Sequence, residues 1–265
     1  MNGPQVVPKK TKEYAVQQPD HDILPSLPCR MALLGPSGSG KTILLQSLLT
    51  DLFTHRGRSV FSRIYIWSPS VLVDSAWEPV IKLCKEMGQD EEKEPFMFQT
   101  YDPNDLERVI SVQKEVVARC KQMKMKKCYQ IAIVIDDFAD TPAFTRQERL
   151  IWELFFRGRH AMISTIISTQ KWKAISPAIR SQCTALFVFR LRSQQELEAF
   201  AEEVSALVDK KTVMRYYREA TEEPYSFLYC RLEAKKPEDI FWIRFEHRLE
   251  DRNVKVVGLR PAGDL

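Results

Sequence analysis

The segment GPSGSGKT, residues 35–42, gathers three of the chain's nine glycines, Gly35, Gly38 and Gly40, within six positions. Glycine loses more freedom on folding than any other residue, so such crowding marks backbone that must turn tightly or approach something closely. The spacing G-x-x-x-x-G-K-[ST], with an apolar run on either side, is that of a phosphate cradle. Gly35, Pro36, Ser37, Gly38, Ser39 and Gly40 would fold into a nest of inward N–H groups, at the positive end of a helix beginning near Gly40. Lys41 then reaches the β- and γ-phosphates, and the Thr42 hydroxyl is a ligand for magnesium.

A second constellation is IAIVIDDF, an apolar strand ending in Asp136 and Asp137. A carboxylate at a strand's carboxyl end, beside a phosphate loop, suits the metal–water ligand of a nucleotide site. Asp136 is assigned that role, and Asp137 is placed to orient or deprotonate an attacking water. A GTPase would carry D-x-x-G after this motif and N-K-x-D later, and neither is present; LSGGQ is absent as well. ATP is therefore the expected nucleotide, with Mg²⁺.

Positioning these groups takes strands that end at one edge. Short apolar runs predict strands at 30–34, 62–67, 96–101, 129–136, 162–168, 184–190, 225–232 and 240–246. The run 131–135 is apolar without alternation, as in a strand covered on both faces. Helices are expected at 41–53, at 105–123 with Asp102 as cap and Pro103 in the first turn, and at 146–157, 194–208 and 211–220. Strands alternating with helices make an α/β fold with a mostly parallel central sheet and helices on both faces. Residues 1–28, polar with spaced prolines, read as an extended arm, 29–250 as one domain and 251–265 as a short tail.

Composition narrows the classes. A 265-residue chain that is 44% hydrophobic can bury a large core, and a net charge of +4 permits nucleic acid without demanding it. Asp90, Glu91, Glu92 and Glu94 form an acidic knot; Arg119, Lys121, Lys124, Lys126 and Lys127 form a basic one. The six cysteines show no C-x-x-C pair and no histidine cluster, which predicts reduced thiols rather than zinc or a secreted disulfide framework. Without an amino-terminal apolar stretch or a membrane-length run, the expectation is a soluble intracellular protein.

The segment FFRGRHAMISTIISTQKWKAISPAIRSQ, residues 155–182, puts the polar Gln170 at the end of a strand, after GRH and before SPAIR. With the phosphate loop and the aspartate pair, this resembles the FtsK–HerA superfamily of ring-forming DNA translocases, whose core is RecA-like. Within it, the chain looks most like the genome-packaging ATPases of poxviruses and other large double-stranded DNA viruses, and their relatives in virus-like transposons. The resemblance covers roughly residues 30–190. It implies that Gln170 senses the γ-phosphate or lytic water, and that an arginine near RGRH acts in trans on a neighbouring subunit's nucleotide, Arg159 first, then Arg157, then Arg180. His160 has a structural role in that reading. Many members carry Asp-Glu at the strand end where this chain has Asp-Asp, so the shorter Asp137 must sit closer to the water or work through another one. The short stretch after the last predicted strand sets the expectation that the winged-helix module of some chromosome translocases is absent.

A motor that slides should grip phosphates rather than read bases. Lys171, Lys173 and Arg180, around Trp172, are the first DNA-contact candidates, and the basic end of the 105–123 helix is the second. The resemblance implies a homo-oligomeric ring, a hexamer or pentamer, acting on double-stranded DNA at the site of virus assembly, in cytoplasm or nucleus, with a capsid or portal protein as a further partner. Two alternatives stay open: a HerA-like translocase or helicase in repair or plasmid transfer, and a low-turnover ATP-dependent assembly switch that binds a capsid or portal protein.

Overall fold

The computed structural model describes residues 15–138 and 148–250. The first half of the expected arm, the tail 251–265 and the first two residues of the helix expected at 146–157 lie outside the described residues.

Among the described residues nine strands form one sheet, and six of them run parallel: β1 (Arg30–Leu34), β4 (Arg63–Trp67), β5 (Met97–Phe98), β6 (Ile131–Asp136), β7 (Ile163–Thr169) and β8 (Ala185–Phe189). Three antiparallel strands extend it: β9 (Phe227–Arg231), β10 (Phe241–Ile243) and β11 (His247–Arg248). The order is β11-β10-β9-β8-β1-β7-β6-β4-β5. A small hairpin, β2 (Thr54–His55) with β3 (Arg58–Ser59), stands apart. Every residue of β6, β7 and β8 is buried, as the unalternating apolar runs require of strands covered on both faces.

Among the described residues the α-helices are α1 (Lys41–Ser47), α2 (Glu78–Glu86), α3 (Pro103–Gln122), α4 (Glu148–Arg157), α5 (Pro177–Arg180), α6 (Gln194–Glu203) and α7 (Lys210–Ala220). Asp102 caps α3 by accepting from the Asn104 amide at 2.8 Å, with Pro103 in the first turn, as its sequence predicts. Several boundaries differ from expectation. The 41–53 helix is α-helical only to Ser47 and continues as π-turns over Leu48–Leu52. The 194–208 helix stops at Glu203, where tight turns deliver the chain to Asp209, the cap of α7. The 96–101 strand shrinks to two residues because the chain must turn into the α3 cap, and the 240–246 strand stops at Ile243 because Arg244 is left-handed (φ 51°). Helix α2, the β2–β3 hairpin and β11 lie outside the elements that the apolar runs predict.

From residue 15 the chain packs back on this body. Val16, Leu24 and Leu27 are buried, and the Gln18 amide both donates to and accepts from the Leu27 backbone at 2.8 Å. All six cysteines are free and buried. Burial pushes the thiols of Cys29, Cys84 and Cys183 up to about 12, far from the reactive range. No described helix is long and apolar enough to cross a membrane.

Candidate nucleotide site

Parallel strands β1, β6 and β7 all end at the same edge, and β7 lies between the other two. The loop leaving β1 is the glycine-rich segment, the end of β6 carries the aspartate pair, and β7 delivers Gln170 between them. Gly35 is pinned to this arrangement by its amide, which donates to the Thr169 carbonyl at 3.1 Å. The Asp137 amide likewise donates to the Ser168 carbonyl at 3.0 Å.

Two glycines of the loop are there for identifiable reasons. A Cβ on Gly35 would stand 2.6 Å from Ser39 Oγ and 2.8 Å from Phe189 Cβ, so β1 and β8 could not approach as they do. Gly40, the residue before α1, has φ 100°, which side chains rarely adopt. Gly38 is also left-handed but has nothing within 4 Å of an added Cβ. Gly35→Ala is therefore expected to destabilise the fold by about 2 kcal/mol through forced separation of β1 and β8, and Gly38→Ala by about 1 kcal/mol through backbone strain alone. Chemical denaturation checks the order, which reverses if loop strain rather than packing dominates.

Lys41 is 5% exposed, and its ammonium donates to the carbonyls of Gly35 at 2.8 Å and Pro36 at 3.1 Å. Burial lowers its pKa, while the carboxylates of Asp137 and Asp136 act in the opposite direction. Asp136 is buried, and its Oδ2 accepts from the Ser68 hydroxyl at 3.0 Å. Burial raises the Asp136 carboxyl above the usual range; Asp137 adds to the rise, and the hydroxyls of Ser168 and Ser68 and the Lys41 charge oppose it.

A continuing strand would turn Asp136 and Asp137 to opposite faces. Asp137 instead has φ 54°, and both side chains line one cavity with Lys41 and Thr42. Aspartate tolerates left-handed backbone better than most residues, which gives the Asp-Asp pair a conformational rationale. Gln170 is exposed, and its Nε2 donates to Asp137 Oδ2 at 3.5 Å, the long limit of a hydrogen bond. The oxygen set of Thr42 and Asp136 suits a hard dication such as Mg²⁺, and a dication would offset the burial of the Asp136 carboxylate.

The cavity holds about 970 Å³ and extends well past the sequence-derived residues. On the β6 side it includes Ser70 and Asp74; on the β8 side it includes Phe189, Tyr225, Phe227 and Arg244. Ser68 could have been found in sequence, since it follows a parallel strand whose carboxyl end must lie at this edge. Tyr225 and Arg244 carry no such local signal, because antiparallel pairing brings them there.

The other sequence candidates lie elsewhere. Arg157 and Arg159 are exposed at the start of β7, a strand length of about 20 Å from the phosphate loop, so neither reaches its own chain's site. Arg157 lines a separate 470 Å³ cavity with Lys114, Lys121 and His160. Lys171 and Lys173 are exposed just after Gln170, whereas Trp172 between them is buried. Arg180 lies over the Trp172 ring at 5.5 Å, with its Nε 3.4 Å from Glu203 Oε2, so its guanidinium is engaged within the chain. The acidic knot is partly structural too: Glu94 pairs with Arg63 at 3.3 Å and accepts from the Tyr65 hydroxyl.

Residues 17–81 and 94–223 match the model of the family described as Poxvirus A32 protein. A curated relative, uncharacterized protein 015R of Frog virus 3 (isolate Goorha), is 26% identical over 196 residues, which make up 71% of this chain and 54% of the relative. The chain thus spans about half the length of that relative. Among solved structures, the genome packaging NTPase B204 from Sulfolobus turreted icosahedral virus 2 in complex with ATP-gammaS is similar at 18% identity and a TM-score of 0.47, over 77% of this chain and 92% of that one. EssC (ATPases 2 and 3) from Geobacillus thermodenitrificans is similar at 17% identity and a TM-score of 0.44, over 65% and 34% of the two chains.

Proposed function

The chain belongs to the family of the poxvirus A32 protein, and on that premise we propose that it is an ATP-driven motor that moves double-stranded DNA, packaging a viral or virus-like genome into a preformed capsid. One observation carries the hydrolytic half of this reading. Strand β7 lies between the phosphate-loop strand and the aspartate strand, so Lys41, Asp136, Asp137 and Gln170 meet at one edge. Such an edge can hold a triphosphate and position a water in line with its terminal phosphorus.

In this mechanism the N–H groups of the loop and the Lys41 ammonium hold the β- and γ-phosphates. Thr42 and Asp136 would hold a Mg²⁺, which would supply charge neutralisation for the phosphate oxygens. Asp137 accepts the proton of the attacking water, and Gln170, which donates to the same carboxylate, orients that water. Arg159 or Arg157, far from its own site, would serve a neighbouring copy in a ring, where a second positive charge stabilises the transferring phosphoryl group. That arrangement makes hydrolysis depend on subunit contact.

The test is ATP hydrolysis measured with and without double-stranded DNA. Stimulation by DNA is expected, and turnover indifferent to DNA would instead favour the assembly switch. The exposed Lys171 and Lys173 sit directly beyond Gln170, so phosphate gripped there would be felt at the catalytic edge. Replacing both with alanine is expected to weaken DNA binding and to flatten the salt dependence of affinity by about one unit of log–log slope per lysine. A double variant with the wild-type salt slope would remove this loop from the DNA path.

A further inference from the structure

The cavity continues beyond anything that hydrolysis needs. The aspartate pair and Gln170 stand on the β6–β7 side of the phosphate loop. On the other side the same 970 Å³ space runs to Tyr225 and Arg244. This volume is within the range of sites that enclose a cofactor-sized ligand. The phosphates account for the middle of the cavity, and the β8–β9 end is left for the rest of the molecule.

The sheet builds that end from three strand termini. Parallel β8 finishes there at Phe189, antiparallel β9 starts there at Phe227, paired with Phe189, and β10 returns to it just before Arg244. The Arg244 amide closes the corner by donating to the Phe227 carbonyl at 3.0 Å. Phe227 is fixed among other rings, 5.2 Å from Phe189 and 5.6 Å from Phe245, which makes a rigid apolar floor.

Tyr225 differs from that floor. It is 73% exposed, yet its ring lies over the start of α1, with Cδ1 3.5 Å from where a Gly40 Cβ would be. It also holds φ 61°. Among the described residues six non-glycines have positive φ, and three of them, Asp137, Tyr225 and Arg244, line this one cavity. Left-handed backbone at a tyrosine and an arginine is unfavourable, and such strain gathers where a side chain must be aimed. The Arg244 guanidinium contacts the carboxylates of Glu223 at 3.4 Å and Glu246 at 3.6 Å, while its Nε is buried without an acceptor. An exposed aromatic face beside a guanidinium donor is the chemistry that receives a nucleobase and its ribose.

The geometry points to Tyr225 and Arg244 as the nucleoside clamp of this site: the base stacks on the Tyr225 ring, and Arg244 donates to the base or sugar. This rests on the reading of the loop as a nucleoside-triphosphate site and adds which residues hold the nucleoside half. Phosphate affinity would then reside in the loop, and preference for a nucleotide over bare polyphosphate in the β8–β9 corner.

The test is calorimetric titration of the full chain with ATP and, separately, with inorganic tripolyphosphate, both with Mg²⁺. Wild type is expected to bind ATP more tightly than tripolyphosphate. Tyr225→Ala and Arg244→Ala are each expected to weaken ATP about tenfold while leaving tripolyphosphate unchanged, and Tyr225→Phe, which keeps the ring, is expected to match wild type. Tyr225→Gly relieves the left-handed backbone, so its weakened ATP binding should accompany a melting temperature no lower than wild type. Unchanged ATP affinity in Tyr225→Ala, or equal weakening of both ligands, overturns the clamp alone. A wild-type chain that binds neither ligand overturns the triphosphate reading, and the clamp with it.

Discussion

Lys41→Ala is expected to reduce ATP turnover by about 10²–10³-fold and to weaken ATP binding by about tenfold or more. Among the described residues, Lys41 is the cation that stands between the glycine loop and the aspartate pair, 5% exposed, with Asp137 and Asp136 both close enough to raise its pKa against the effect of burial. Two of its three ammonium protons go to the Gly35 and Pro36 carbonyls, which fixes the nitrogen over the loop, where the proposed phosphates would lie. Alanine removes the charge, the anchor and the counter-charge to two carboxylates together. Lys41→Arg should not restore activity, because a planar guanidinium cannot take the place of a compact ammonium against two loop carbonyls. Phosphate release and ATP titration measure the two effects. Turnover within tenfold of wild type would show that the phosphates are held elsewhere.

What sequence reveals about this site depends on how local each signal is. The glycine-rich loop is legible because its eight residues are contiguous and fit G-x-x-x-x-G-K-[ST] as one unit. Asp136 and Asp137 are legible because the apolar run before them fixes a strand, and a parallel strand's end fixes an edge. That both carboxylates enter one cavity was not legible, since it depends on a left-handed turn at Asp137 that a strand pattern does not announce. The placement of β7 between β1 and β6 is a matter of long-range pairing, and the motifs only hint at it. Tyr225 and Arg244 are 185 and more residues from Gly40 and reach it through three antiparallel or parallel registers. Arg180 shows the converse: its sequence neighbours suggest a surface cation, and the fold gives it Glu203 and Trp172. Helix α2 was missed because 78–86 carries no strong apolar run, although its buried face, Val80 and Cys84, has helical spacing.

Asp137→Asn is expected to lower turnover by about 10²–10⁴-fold while ATP affinity stays within a few-fold of wild type. Asparagine keeps the size and shape of aspartate and its tolerance of left-handed backbone, so φ 54° at this position is retained. What it loses is the ability to accept a proton, which is the duty assigned to this carboxylate and not to the buried Asp136. Asp137→Glu supplies a sharper test. If the shorter side chain were a defect relative to Asp-Glu strand ends, glutamate would accelerate the enzyme. The geometry argues the reverse: the left-handed turn already brings the Asp137 carboxylate into the cavity and within 3.5 Å of Gln170 Nε2. An added methylene would overshoot that position, and glutamate tolerates the backbone less well. Asp137→Glu is therefore expected to be slower than wild type, and a faster variant would refute the role of the turn. Asp136→Asn separates the two carboxylates. It should weaken the Mg²⁺ dependence of ATP binding, which Asp137→Asn leaves intact, because the strand holds Asp136 buried beside Ser68 and the turn frees only its neighbour to meet the water.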